Sequence, residues 1–136
     1  MENTPSLKVL IVDDDKFLLD MYSIKFSEHG YQIETAFGGK EALEKIDQGF
    51  EADIYLVDII MPEMDGFELI RQLKERKPGG RYALIVLSNL GQKDDIDRAL
   101  ALGVDGYIVK ATATPSEVVA KVKAIFDNKK SADAKL

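Results

Sequence analysis

The sequence predicts an α/β domain of the doubly wound class, with a five-stranded parallel sheet and five helices covering both faces. Three observations carry that expectation. Apolar, β-branched runs recur five times, and each is followed by a stretch with helical spacing of its apolar residues. Strands that carry a notable polar residue carry it at the carboxyl end: Asp13, Asp14, Asp58, Ser88 and Lys110. At 136 residues, with 46% apolar and 31% charged side chains, the composition is globular and fits one core. Right-handed crossovers then bring the five polar positions to a single rim.

The first strand is Lys8-Val9-Leu10-Ile11-Val12, a run fit for burial on both faces, and it ends in Asp13-Asp14-Asp15. Residues 1–6 before it are polar and expected to be flexible. Phe17, Leu18, Met21, Ile24 and Lys25 mark a helical stripe to about His29, with Gly30 suited to the left-handed residue after the helix. His29, at that helix end, is expected to complement the dipole rather than to move protons. Tyr31 to Ala36 reads as the second strand. Gly38-Gly39 then opens a helix with Ala42, Leu43 and Ile46 inward, stopping near Gly49.

The third strand, Ile54 to Val57, is short, apolar and ends on the single acid Asp58. Pro62 and Asp65-Gly66 prevent direct continuation as strand or helix. The next helix is expected from about Met64 to Lys77, with Phe67, Ile70 and Leu73 inward and Pro78-Gly79-Gly80 as its stop. Tyr82 to Leu87 is the fourth strand, ending in Ser88-Asn89. The fourth helix carries Asp94, Asp95 and Asp97 near its positive end, and Ile96, Ala99 and Leu100 are expected inward. Gly106 to Val109 is the fifth strand, ending in Lys110. Thr114-Pro115-Ser116-Glu117 is a capping box with proline at the first helical position. The last helix presents Val118, Val119, Val122, Ile125 and Phe126, and residues 128–136 are expected to be a flexible tail.

Composition excludes several classes of function. With no cysteine there is no disulfide framework and no thiolate metal site. The net charge of −6, with lysine and arginine scattered apart from the tail, lacks the basic footprint of a nucleic-acid binder. Residues 1–8 hold no apolar leader core, and no apolar run approaches a membrane span, so the expected compartment is the cytoplasm.

Carboxylates gathered on one rim repel, and their protonation shifts upward unless a cation compensates. Lys110 and a bound divalent ion are the two available compensators. All-oxygen donors suit a hard cation, and Mg²⁺ (or Mn²⁺) fits best because it accepts one or two carboxylates and keeps room for water and phosphate. A carboxylate, such a cation, a lysine and the Ser88 hydroxyl together form a phosphate-handling set, in which an aspartate can serve as the nucleophile.

At this point the chain resembles a known family, the receiver domains of bacterial response regulators, and is similar to the single-domain chemotaxis type. The resemblance covers residues 7–127. It rests on Val9-Leu10-Ile11-Val12-Asp13-Asp14-Asp15, on Val57-Asp58-Ile59-Ile60-Met61-Pro62-Glu63-Met64-Asp65-Gly66, on Leu87-Ser88-Asn89 and on Tyr107-Ile108-Val109-Lys110. It implies the strand order 2-1-3-4-5 and a phosphoryl group taken onto Asp58. It further implies Mg²⁺ held by Asp14 directly, by Asp13 mainly through water, by Asp58 and by the Ile60 carbonyl. Ser88 and Lys110 would bind the phosphoryl oxygens. Ser88 and Tyr107 would act as a switch that remodels the face of the fourth helix, fifth strand and fifth helix. The implied partners are a sensor histidine kinase or histidine phosphotransfer protein, an unidentified output protein, and a second copy through that same face. No direct nucleic-acid or membrane contact is expected, and the chain is read as a switch, not an enzyme. A stand-alone receiver and a receiver cut from a longer protein are both compatible with this reading.

Two departures from the family pattern bear on chemistry. Ala111 stands where receivers carry a proline after the lysine, and a cis bond before alanine costs about 2.5–4 kcal/mol, so a trans bond or a strained loop is expected there. Ile60 and Leu90 occupy the positions that tune dephosphorylation. Both are apolar, so slow loss of the phosphoryl group is expected. Three other readings compete. One is a degenerate receiver that binds without phosphorylation. Another is a small aspartyl phosphatase using Asp13 and Asp15. The third, a flavin-mononucleotide binder of the same fold class, is disfavoured because no Ser/Thr/Gly-rich loop follows the first strand of this chain to hold the phosphate.

Overall fold

Residues 6–134 are described in a computed structural model of the chain. Five strands, β1 (Lys8–Val12), β2 (Gln32–Ala36), β3 (Ile54–Val57), β4 (Ala83–Ser88) and β5 (Gly106–Val109), alternate with five helices. These are α1 (Lys16–Glu28), α2 (Gly39–Asp47), α3 (Gly66–Arg76), α4 (Lys93–Ala101) and α5 (Pro115–Ala134). Every strand pair is parallel, and the order is β2-β1-β3-β4-β5. The expected fold class and strand order are both present.

The two-residue period of each strand sorts its side chains between two cores. Leu10, Val12, Tyr55, Val57, Leu84 and Val86 face α2, α3 and α4, where Leu43, Phe67, Ile70 and Leu73 meet them. Val9, Ile11, Ile54, Leu56, Ile85 and Leu87 face α1 and α5, against Leu19, Tyr22, Phe26, Val118 and Val122. Val9–Val12 of β1, all of β3 and Ala83–Leu87 of β4 are buried on both sides, and these stretches are continuously apolar.

Helix ends follow local chemistry. The Asp15 carboxylate caps α1 by accepting from the Leu18 N–H at 3.2 Å, and that of Asp65 caps α3 by accepting from the Glu68 N–H at 2.9 Å. The expected capping box opens α5: the Thr114 N–H donates to Glu117 at 2.8 Å, and the Glu117 N–H donates to the Thr114 hydroxyl at 3.2 Å. Gly30 and Gly103 take positive φ just past α1 and α4. His29 is the C-cap of α1.

Four expectations are corrected. In α1 the buried residues are Leu19, Tyr22 and Phe26, whereas Phe17 is 87% exposed and Ile24 and Met21 also face outward. This helix is apolar on more than one side, so helical spacing alone does not choose the inward face; the angle at which the chain leaves β1 does. In α4 only Ala99 is buried, and Leu100 is 51% exposed, because this short helix lies against the sheet's β5 edge with little apolar surface beneath it. The third helix begins at Gly66, since Asp65 is spent as its cap. The fifth helix does not fray at residue 127 but continues to Ala134. Alanine and lysine favour helix there, and Lys129 Nζ is held 3.0 Å from Asp105. The expected flexible stretch 1–6 and the last two residues of the expected tail fall almost wholly outside the described residues. Among the described residues no helix is long and apolar enough to cross a membrane.

Asp105 also accepts the Leu84 N–H at 2.8 Å, so one carboxylate ties the start of β4 to the late turns of α5. Asp105→Ala leaves a backbone donor without its partner. The expected result is a loss of about 1–3 kcal/mol in urea-induced unfolding.

Candidate functional site

The register of the sheet builds the site. Val12 pairs with Val57, so the residues that follow them, Asp13 and Asp58, leave the sheet at the same level. Backbone bonds hold that level: the Asp58 N–H donates to the Val12 carbonyl at 3.0 Å, and the Asp13 N–H to the Ala36 carbonyl at 3.1 Å. On the other side Ser88 pairs with Val109, which places Lys110 just beyond the end of β5. Its long side chain reaches back across the rim.

Lys110 Nζ donates to Asp13 Oδ2 at 2.6 Å and to Asp58 Oδ2 at 3.0 Å. The second oxygen of each carboxylate accepts from backbone. Asp13 Oδ1 takes the Asp15 N–H at 2.9 Å, and Asp58 Oδ1 takes the Ile59 N–H at 2.7 Å. Asp13 is 2% exposed and Asp58 6% exposed. Burial pushes the Asp13 carboxyl above its ordinary range, and the bonds from Lys110 and Asp15 offset only part of that. Burial also works against the charge on Lys110, yet its bonds to Asp13 and Asp58 hold the ammonium above the ordinary lysine range. One buried cation thus serves two buried anions.

Asp14 completes the set from an exposed position. Asp13, Asp14 and Asp58 each offer a carboxylate oxygen, and the three lie within 4.8 Å of one another. Hard oxygen donors at this spacing, one of them buried with its protonation shifted upward, fit a divalent cation of the Mg²⁺ type. Asp15 does not join them, because its carboxylate caps α1. The acid pair at positions 13 and 15 that a phosphatase reading requires is therefore not gathered in the pocket. Asp94, Asp95 and Asp97 form no such cluster among the described residues and stand as the solvated start of α4.

Ser88 is fully buried at the end of β4, and its hydroxyl accepts from the Leu90 N–H at 3.3 Å. Tyr107, half-buried on β5, donates its hydroxyl to the Leu90 carbonyl. Ser88 and Tyr107 are thus joined through the backbone of Leu90, a link to which no feature of the sequence pointed. Ile60 lies beside the site, 58% exposed. The Lys110–Ala111 bond is trans, as expected, and a short 3₁₀ turn over Lys110–Thr112 follows it. Alanine in place of proline does not misdirect Lys110.

Gly66 was legible in the sequence only as a turn residue, yet it packs directly against the backbone that follows β3. A Cβ there would lie 2.2 Å from the Asp58 carbonyl oxygen and 2.7 Å from the Ile59 Cα. Its N–H donates to the Ile59 carbonyl at 2.8 Å. The available signal was the Asp-Gly pair at a helix start, where the aspartate caps and the glycine lets the helix approach the strand end.

Comparison with known proteins agrees with this geometry. The family model of the response regulator receiver domain matches residues 9–123. The chain is 35% identical over 128 residues to the transcriptional regulatory protein ResD of Bacillus subtilis, covering 93% of this chain and 50% of that protein. It is 33% identical over 119 residues to the alkaline phosphatase synthesis transcriptional regulatory protein PhoP of the same organism, covering 88% and 48%. The chain thus spans about half the length of these relatives. Among solved structures it is similar to a CheY-like response regulator receiver domain protein from Methanospirillum hungatei, with a TM-score of 0.83 at 30% identity, covering 94% of this chain and 99% of that one.

Gly66→Ala forces a methyl group against the Asp58 backbone. The expected outcome is a loss of about 1–3 kcal/mol in chemical unfolding.

Proposed function

The chain belongs to the response regulator receiver domain family, and from that premise we propose that Asp58 is its phosphoacceptor. Receiver domains are signalling switches of two-component systems, not turnover enzymes. The observation that carries the assignment to Asp58 is the shared ammonium of Lys110, which holds Asp58 and Asp13 side by side in a buried pocket.

In this reading an Asp58 carboxylate oxygen attacks the phosphorus of a phosphohistidine on a kinase or phosphotransfer protein. The P–N bond breaks, the electron pair leaves with the imidazole, and an acyl phosphate remains on Asp58. Lys110 lies within reach of the incoming oxygens and offsets their charge. Asp13, Asp14 and Asp58, with the Ile60 carbonyl, would hold Mg²⁺, whose bound charge neutralises the transferring group. Ser88 would turn its hydroxyl to a phosphoryl oxygen and release the Leu90 N–H. Tyr107, tied to the other side of the same Leu90 backbone, would register that change and pass it to the face of α4, β5 and α5. That face is the proposed surface for an output protein or a second copy, in a cytoplasmic setting.

Incubation with acetyl phosphate and Mg²⁺ is expected to add the mass of one phosphoryl group to the wild-type chain and none to Asp58→Asn, and the gain is expected to vanish with EDTA. An unmodified wild type would favour the degenerate receiver instead. The acyl phosphate is also expected to last minutes or longer once donor is removed. Neither Ile60 nor Leu90 has a polar group that could orient an attacking water, and decay within seconds, followed by intact mass, would contradict this.

A further inference from the structure

The fourth helix is the most lightly held of the five. Only Ala99 is buried on it, Ile96 is half-buried, and Leu100 faces outward. Its one distinctive contact with the rest of the fold is made by Arg98, whose guanidinium carbon lies 4.0 Å from the centre of the Phe67 ring. Among the described residues Arg98 has no carboxylate partner: Arg71, across the groove, takes both Glu68 and Glu75, and the Lys93–Asp97 pair is a separate one. A groove of about 310 Å³ separates α3 from α4, lined by Asp65, Phe67, Glu68, Arg98 and Leu102 among others. The stack therefore bridges two helices across a gap instead of filling a packed seam.

Phe67 adjoins Gly66, which touches the Asp58 backbone without an intervening side chain. The sequence Asp58–Gly66–Phe67–Arg98 is a chain of direct contacts from the acceptor strand to α4. We infer that Arg98 is a positioning residue: its stack on Phe67 is the clasp that keeps α4 in its resting place, and opening that clasp is part of how modification of Asp58 reaches α4. The first half stands on the contact geometry. The second half rests on the phosphoacceptor reading given above.

Arg98→Ala removes the clasp while placing a strong helix former in α4, so a loosened helix could not be blamed on intrinsic propensity. Amide hydrogen exchange on the full chain is expected to run about three- to tenfold faster across residues 93–101 in Arg98→Ala, with β4 and α3 unchanged. Phe67→Leu also removes the ring, and because Phe67 is a core residue of α3 its exchange is expected to quicken in α3 and α4 together; in that background Arg98→Ala is expected to add no further change in α4. Arg98→Lys is expected to fall between. Unchanged exchange in α4 would overturn the clasp.

The coupling is read separately, by titrating each protein with beryllofluoride in the presence of Mg²⁺. If the clasp opposes the modified state, Arg98→Ala is expected to half-saturate at about three- to tenfold lower beryllofluoride than wild type. A loosened α4 with unchanged half-saturation would overturn the coupling and leave a purely structural contact. Failure of wild type to bind the mimic would remove the phosphoacceptor reading and the coupling with it, while the exchange comparison would still decide the clasp.

Discussion

Everything at the rim depends on one ammonium group between two buried carboxylates. Asp13 and Asp58 lie at the ends of neighbouring strands, each nearly sealed from water, where a buried polar group needs a partner. Lys110 makes the arrangement tenable by donating to both. The same contact ties β5 to β1 across the intervening β3 and β4, since these strands are not neighbours in the sheet. Electrostatics thus closes a rim that backbone hydrogen bonding leaves open. The arrangement is also balanced against change: any anion or cation entering the pocket competes for partners that Lys110 already holds.

The elements that create this rim were largely legible in the sequence, because each rests on a local rule. Continuous β-branched runs marked the strands, and their polar terminators marked the carboxyl ends. Parallel connectivity then carried Asp13, Asp14, Asp58, Ser88 and Lys110 to one edge. The capping box at Thr114–Glu117 was readable for the same reason, since both partners lie within one turn.

What the sequence hid is what depends on phase and on contacts between distant residues. The inward face of α1 was misread because Phe17, Met21 and Ile24 recur at steps of four and three, and Leu19, Tyr22 and Phe26 at steps of three and four, so both sets satisfy helical periodicity and only packing separates them. Leu100 looked like a core residue, but α4 has too little sheet beneath it to bury one. The continuation of α5 to Ala134 turned on a charge pair between Lys129 and Asp105, 24 residues apart. The role of Gly66 turned on how closely two backbones approach, which no single-residue preference records.

The bonds made by Leu90 have a separate consequence. Ser88 and Tyr107 are both attached to its main chain, one to the N–H and the other to the carbonyl, and neither bond involves its isobutyl group. Two jobs at one residue are therefore assigned to different atoms. The main chain can carry a displacement from one polar side chain to the other, while the isobutyl group packs against the core, so a shift in that backbone would be felt by polar and apolar neighbours at once.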